Sequence, residues 1–342
     1  MEAPMVQYVT AADGTSVAYG VSGEGEPFVF MPIFLSHFGH MWSSHSLSTL
    51  APSLAERFQL IAYDPRGQGL SSRNLPEDVC LDDFIEDFEA VREHLALQRF
   101  VMLGSCNWAL LAAHYAARYP GRVKALILVN GAVSWDAWRL SSVYDTLPRE
   151  DWDLFLHNMA PLDYTPEQAR ALVESAKASI LQRDYLVSTP VWHSASLEDI
   201  LPRLHTPTLV LHSKDFRLRS VEGPLELARR LANAKLRLMD SNWLFGHPGQ
   251  AIAAIDEFMA DLEAGEAKSS ATVPAFPSSG LSARQAQVLR LIAEGKTNGE
   301  IADELVISLR TVERHVAELY AKIGARNRVE AAAFAMSSLV RA

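Results

Sequence analysis

The chain has 342 residues, 49% of them hydrophobic, more than one domain of the usual ~100–200 residues requires, so two domains are expected. A net charge of −10 argues against a surface built throughout for nucleic acid, and two cysteines, Cys80 and Cys106, exclude a disulfide framework and show no metal-ligand spacing. The charge is uneven, however: residues 281–342 hold nine Lys and Arg against seven Asp and Glu, which leaves −12 on the first 280 residues. No apolar run reaches the ~18 residues that span a bilayer, and Glu2, with no basic stretch before an apolar segment, is unlike a secretory signal. A cytoplasmic protein without membrane, metal or cofactor is expected.

Short apolar runs, Phe28 to Met31, Leu60 to Tyr63, Phe100 to Leu103, Ala125 to Val129 and Thr208 to Leu211, alternate with helical patterns such as Leu81, Phe84, Ile85, Phe88, Val91 and Leu95. Such alternation predicts an α/β, doubly wound, mostly parallel sheet covered on both faces. From about Gly131 to Leu201 the rhythm gives way to helix-like sequence with four of the seven tryptophans, Trp135, Trp138, Trp152 and Trp192, an inserted helical cap. Residues 263–279 combine Gly, Ser, Ala and Pro without a period and read as a connector between a domain at 1–262 and one at 280–342.

In the last segment Ser282 with Gln285 and Thr297 with Glu300 have the spacing of capping boxes, and each predicts a helix start. Gly295 and Gly324 suit the left-handed residues that close helices. Between them Val312, Val316, Leu319, Tyr320 and Ile323 form one apolar stripe, and the opposite face carries Arg310, Glu313, Arg314, Ala317 and Ala321, as a recognition helix does.

The run LSARQAQVLRLIAEGKTNGEIADELVISLRTVERHVAELYAKIGARNRVEAAAFA resembles the LuxR/NarL-type helix-turn-helix over nearly its full length. It carries Asn298, Glu300, Ile301, Ala302, Ser308, Thr311, Val312, His315, Lys322, Gly324 and Arg328 of that motif, with Gln285 where the family usually has Glu. The resemblance implies a small all-α domain that binds double-stranded DNA. Lys296, Thr297, Ser308, Arg310, Thr311, Lys322 and Arg328 are then the expected backbone-facing positions, Glu313, Arg314 and Ala317 the expected base-reading ones, and Asn298 a further expected DNA-binding residue. A homodimer on two half-sites is expected, since one module of formal charge +2 is a weak reader alone.

YVTAADGTSVAYGVSGEGEPFVF, FQLIAYDPRGQGLSS and the stretch from Asp82 to Asn130 resemble successive segments of the α/β-hydrolase family. In that family Gly-x-nucleophile-x-Gly sets a side chain on a strained turn between strand and helix. Here the turn reads Gly104-Ser105-Cys106-Asn107-Trp108: the nucleophile position falls on Cys106, and Trp108 replaces the second glycine. The acid position falls on Phe216 with Asp215 one residue early, the base position near Ser241 or Asn242 with His247 some five residues late, and Pro32 removes a donor from the oxyanion loop. Four departures together predict a catalytically degenerate domain that keeps a pocket for a small apolar or aromatic effector. Ile33, Phe34, Cys106, Asn107, Trp108, Trp135, Trp138, Trp192, Phe216 and Trp243 are its expected lining. The alternative is a slow Cys-dependent hydrolase, in the manner of the dienelactone hydrolases, that assembles Cys106, His247 and Asp215.

Overall fold

The computed structural model describes residues 2–33, 35–43, 47–134, 141–159, 165–214, 216, 221–240, 248–271, 283–293, 296–323, 325 and 331. They fall into two compact units, Met1–Met259 and Ala260–Ala342. Among them no helix is long and apolar enough to cross a membrane.

The first unit is built on eight strands: β1 (Gln7–Thr10), β2 (Ser16–Ser22), β3 (Pro27–Phe30), β4 (Gln59–Tyr63), β5 (Phe100–Ser105), β6 (Val123–Val129), β7 (Thr208–Ser213) and β8 (Ala234–Met239). They lie in the order β1-β2-β4-β3-β5-β6-β7-β8, antiparallel where β2 meets β1 and β4 and parallel elsewhere. Every residue of β5 and β7 is buried, which is why these strands read as unbroken apolar runs. Strand β8 was not expected: it forms the sheet edge and alternates, with Lys235 and Arg237 among its members, so it shows no such run.

Helices α1 (Leu50–Ala55), α2 (Leu81–His94), α3 (Asn107–Arg118) and α8 (Glu222–Arg230) connect the strands, and α2 buries Phe84, Ile85, Phe88 and Val91 as their spacing predicts. Four more, α4 (Ser141–Glu150), α5 (Trp152–Asn158), α6 (Pro166–Ser179) and α7 (Gln182–Ser194), make up the cap. The cap is strapped to the loop after β4. Asp184, fully buried, accepts the backbone N–H groups of Asn74 (3.0 Å) and Leu75 (2.8 Å), Gly69 N–H donates to the Ser179 carbonyl (2.6 Å), and Gln68 pairs with Ile180 in an isolated bridge.

Helix α9 (Pro248–Ala271) continues nine residues into the connector expected at 263–279. The reason is local composition: Glu263, Ala264, Glu266, Ala267 and Lys268 are strong helix formers that outweigh the single Gly265. The second unit holds α10 (Ala283–Ala293), α11 (Asn298–Leu305) and α12 (Leu309–Ile323) around a core of Val288, Leu289, Leu291, Ile292, Ile301, Val312, Leu319 and Ala331. Thr297 caps α11 reciprocally with Glu300, as its spacing predicts. Gly295, Gly324 and Ser282 lie outside the described residues; Lys296 N–H donates to Leu291 O and Ala325 N–H to Tyr320 O, which satisfies a carbonyl near the end of α10 and of α12.

Candidate ligand cavity and nucleic-acid interface

At the end of β5 the chain turns sharply into α3, and Cys106 sits at the turn with φ 53° and ψ −117°, a conformation that L residues rarely adopt. Its N–H donates to the Val129 carbonyl of β6 (2.9 Å), and the residue is buried. Ser105 ends β5, and its buried hydroxyl has no hydrogen-bond partner among the described residues. The close approach of α3 to the strand is made at Gly104, where a Cβ would lie 2.4 Å from the Trp108 carbonyl oxygen. The first glycine thus meets the packing need expected of the second, and position 108 is free to carry a side chain.

That side chain points into the cap. Trp108 meets Trp192 of α7 edge to face with ring centroids 4.9 Å apart, and Phe84 of α2 packs on both, 5.8 Å from Trp108 and 5.1 Å from Trp192. The three rings border a cavity also lined by Pro65 to Gln68, Asn107, Asp184 and Tyr185. The cavity measures about 30 Å³, room for two or three waters. Asn107, Trp108 and Trp192 thus come together, whereas Ile33, Cys106 and Phe216 are buried but are not among the residues lining this cavity. The Ile33 carbonyl accepts from Gln68 Nε2 (2.5 Å), and Phe216 N–H closes a turn onto Ser213 O (3.0 Å). Phe34, Trp135, Trp138, Trp243, Asp215, Ser241, Asn242 and His247 lie outside the described residues, so the relay Cys106, His247, Asp215 is not placed.

Arg66, on the cavity wall, was not anticipated from the sequence. Its guanidinium donates to Asp87 Oδ1 through Nε (2.9 Å) and Nη2 (2.8 Å) and to Asp13 Oδ2 through Nη1 (2.7 Å). Burial opposes its charge, but these carboxylates hold it above the usual arginine range. Asp64, nearby in sequence, is also buried; burial raises it to about 7 although it accepts N–H bonds from Phe38 (2.8 Å) and Leu70 (2.9 Å). Burial, then His40 and Arg73, lowers His37 to about 4, and the two imidazoles lie 3.8 Å apart between centroids. His40 Nδ1 contacts the hydroxyls of Ser36 and of Ser175 in the cap. These groups fix the segment after β3 against the loop after β4. Among the described residues no group of three or more His, Cys, Asp or Glu is arranged to hold a metal.

In the second unit Arg310, Glu313, Arg314, Ala317 and Lys322 are exposed on α12. Ser308 caps that helix, its Oγ accepting from Thr311 N–H (3.2 Å) and lying 2.8 Å from Thr311 Oγ1. Lys296 lies 3.5 Å from Glu304, Thr297 is engaged in its cap, Asn298 is half-buried, and Arg328 lies outside the described residues. Gln285, buried on α10, bridges to α12: Nε2 donates to Glu318 Oε2 (2.9 Å) and Oε1 accepts from Lys322 Nζ (2.8 Å). Spacing alone assigned Gln285 to a cap and missed this bridge between helices.

Residues 32–242 match the family described as alpha/beta hydrolase fold, and residues 279–335 match bacterial regulatory proteins, luxR family. The chain is 27% identical to a non-heme haloperoxidase of Rhodococcus erythropolis over 254 residues, 68% of this chain and 90% of that protein. It is 31% identical to the bifunctional esterase/perhydrolase DCH of Acinetobacter calcoaceticus over 147 residues, 43% and 51% of the two chains. Other curated relatives match at 29% identity over 114 residues, and the chain spans 41% of their length. A hydrolase from Pseudomonas aeruginosa superposes with a TM-score of 0.64 at 21% identity, covering 74% of this chain and 98% of its own. An esterase from Exiguobacterium antarcticum gives 0.64 at 18%, covering 76% and 100%. The luxR-family match supports DNA-binding transcription regulation. The chain belongs to the α/β-hydrolase fold family, joined to a luxR-family helix-turn-helix domain.

Proposed function

We propose that the chain is a ligand-responsive transcriptional regulator: the hydrolase-like unit is the receptor for a small apolar or aromatic effector, and the luxR-family unit binds double-stranded DNA as a homodimer. The observation that carries this reading is Trp108. It occupies the elbow glycine position, packs on Trp192 of the cap, and lines a cavity whose wall does not include Cys106. A residue at the nucleophile position that does not line the cavity, with Phe216 at the acid position, suits binding without turnover. On the DNA side Arg314, Glu313 and Ala317 face base edges, while Lys296, Thr297, Asn298, Ser308, Arg310, Thr311, Lys322 and Arg328 set the helix against phosphates. The two half-sites are spaced about one helical turn apart.

The test couples a thermal-shift screen of small aromatic compounds with footprinting on a selected operator. A compound that raises the melting temperature and changes operator occupancy is the expected result. Unchanged occupancy with every stabilising compound would overturn the regulatory role of the cavity. The second reading, a slow Cys-dependent hydrolase, is favoured by the strained turn at Cys106. Short-chain ester turnover lost in Cys106→Ala would establish it instead.

A further inference from the structure

We infer that β1 is the surface through which two copies of this chain join, their β1 strands pairing antiparallel across a two-fold axis at Tyr8. This rests on the homodimer of the proposed reading and names the surface that holds its copies together.

The direction of the main chain comes first. Strand β1 ends the sheet and pairs with β2 alone. In β2, Ser16 and Ala18 turn their main-chain groups away from β1. The Ala18 N–H donates to Ser71 Oγ (2.8 Å) and its carbonyl accepts from Asp64 N–H (2.9 Å); the Ser16 N–H donates to Ser72 Oγ (3.0 Å) and its carbonyl accepts from Ser72 N–H (2.9 Å). The bonds between the two strands therefore join Val17 to Val9 and Tyr19 to Gln7, and alternation aims the N–H and C=O groups of Tyr8 and Thr10 out of the sheet. Val6 precedes Tyr8 by two residues in the same row, and Pro4, which has no N–H, ends it.

The side chains come second. Sheet edges are commonly guarded by charge, and β8, at the opposite edge, carries exposed Lys235 and Arg237. No charged residue stands between Glu2 and Asp13, and Met5, Val6 and Tyr8 are 82%, 41% and 56% exposed. One edge thus repels a further strand and the other invites it.

Self-complementarity selects a second copy as that strand. With Tyr8 facing Tyr8 across the axis, Val6 falls opposite Thr10 and Gln7 opposite Val9. Val6, Tyr8 and Thr10 of the two copies then exchange about six main-chain hydrogen bonds, the two tyrosine rings meet, and no charge faces a like charge. About five residues a side are few beside the ~20–30 of a standard interface, so the dissociation constant is expected on the order of micromolar, and two half-sites on one DNA raise the occupancy of the pair.

The test is sedimentation velocity of the full chain without DNA, from about 1 to 100 μM. The wild type should show a reversible monomer–dimer equilibrium. Tyr8→Lys and Tyr8→Glu should each weaken the dimer at least about tenfold, because each sets like charges opposite one another, and an equimolar mixture of the two should restore it. That rescue requires position 8 to face position 8; damage to the fold would not be rescued. A monomer throughout, a dimer that both substitutions leave intact, or a mixture no better associated than its components overturns the inference, and if one variant fails to fold the wild type and the other variant still decide. The homodimer on DNA is read separately by footprinting: two protected half-sites together with a dimer indifferent to Tyr8→Lys would leave the proposed reading standing and this surface wrong.

Discussion

Trp108 on the first turn of α3 meets Trp192 of cap helix α7 edge to face, with centroids 4.9 Å apart and ring planes at 65°. Trp108 is thereby a joint between sheet and cap. Trp108 is 3% exposed, so Trp108→Ala removes a buried aromatic and should cost about 3–5 kcal/mol. Urea unfolding of the full chain checks this. A loss below about 1 kcal/mol would mean that the cap closes over the gap and that the joint is dispensable.

Asp64 and His37 couple stability to pH in opposite senses. Burial raises Asp64 from 3.8 to about 7, so the native state keeps a proton that the unfolded chain has released, and stability from this group falls as pH rises through that window. Burial lowers His37 from 6.5 to about 4, so the unfolded chain takes up a proton that the native state refuses, and stability from this group falls as pH drops through that window. Each slope is at most about 1.4 kcal/mol per pH unit, and between pH 4 and 6.5 they offset each other. Asp64→Asn should unmask the acid-labile slope of His37, and His37→Gln should leave stability falling from acid towards neutral pH. Thermal midpoints across this range provide the check; three parallel profiles would contradict the assignment.

Val306, at the C-terminus of α11, has φ 53° and ψ 50° and is 81% exposed. A β-branched residue there bears strain and gains no burial in return. Val306→Gly should stabilise the second unit by about 1 kcal/mol, seen as slower amide exchange in α11 and α12. Faster exchange would show that the valine side chain supports the turn.

The strands legible in the sequence were those buried on both faces, since a parallel strand such as β6 writes itself from Ala125 to Val129 as a run of Ala, Leu, Ile and Val. The elbow was legible too, because Gly104 and Cys106 bracket a change from strand to helix period. The cavity was not. Arg66 comes from the loop after β4 and Tyr185 from the cap, and they share a wall because Asp184 accepts the amides of Asn74 and Leu75, about 110 residues earlier. No periodicity records such a bond. The bridge at Gln285 escaped for a similar reason: a Gln at a capping spacing satisfies the local rule, and only tertiary packing brings Glu318 and Lys322 to it.

The same bridge bears on how the second unit should hold DNA. Arg314 projects from the middle of α12 with its side chain 67% exposed and its Nε 3.9 Å from Glu318, a loose contact that leaves the guanidinium mobile enough to seek a base edge. Lys322 sits near the end of the helix, where its Nζ donates to the Gln285 carboxamide oxygen, which orients the ammonium. Arg314→Ala should therefore cost about 1–3 kcal/mol at one base pair and little on an operator altered there, whereas Lys322→Ala should weaken binding to every sequence alike and lower the salt slope by about one counterion. Gln285→Glu should act in the direction of Lys322→Ala, because a carboxylate in that place compensates the charge that the phosphate would meet. Fluorescence anisotropy on the operator and a singly altered operator at two salt concentrations separates these outcomes. Uniform losses in both α12 variants, with equal salt slopes, would show that α12 lies in the groove by another face.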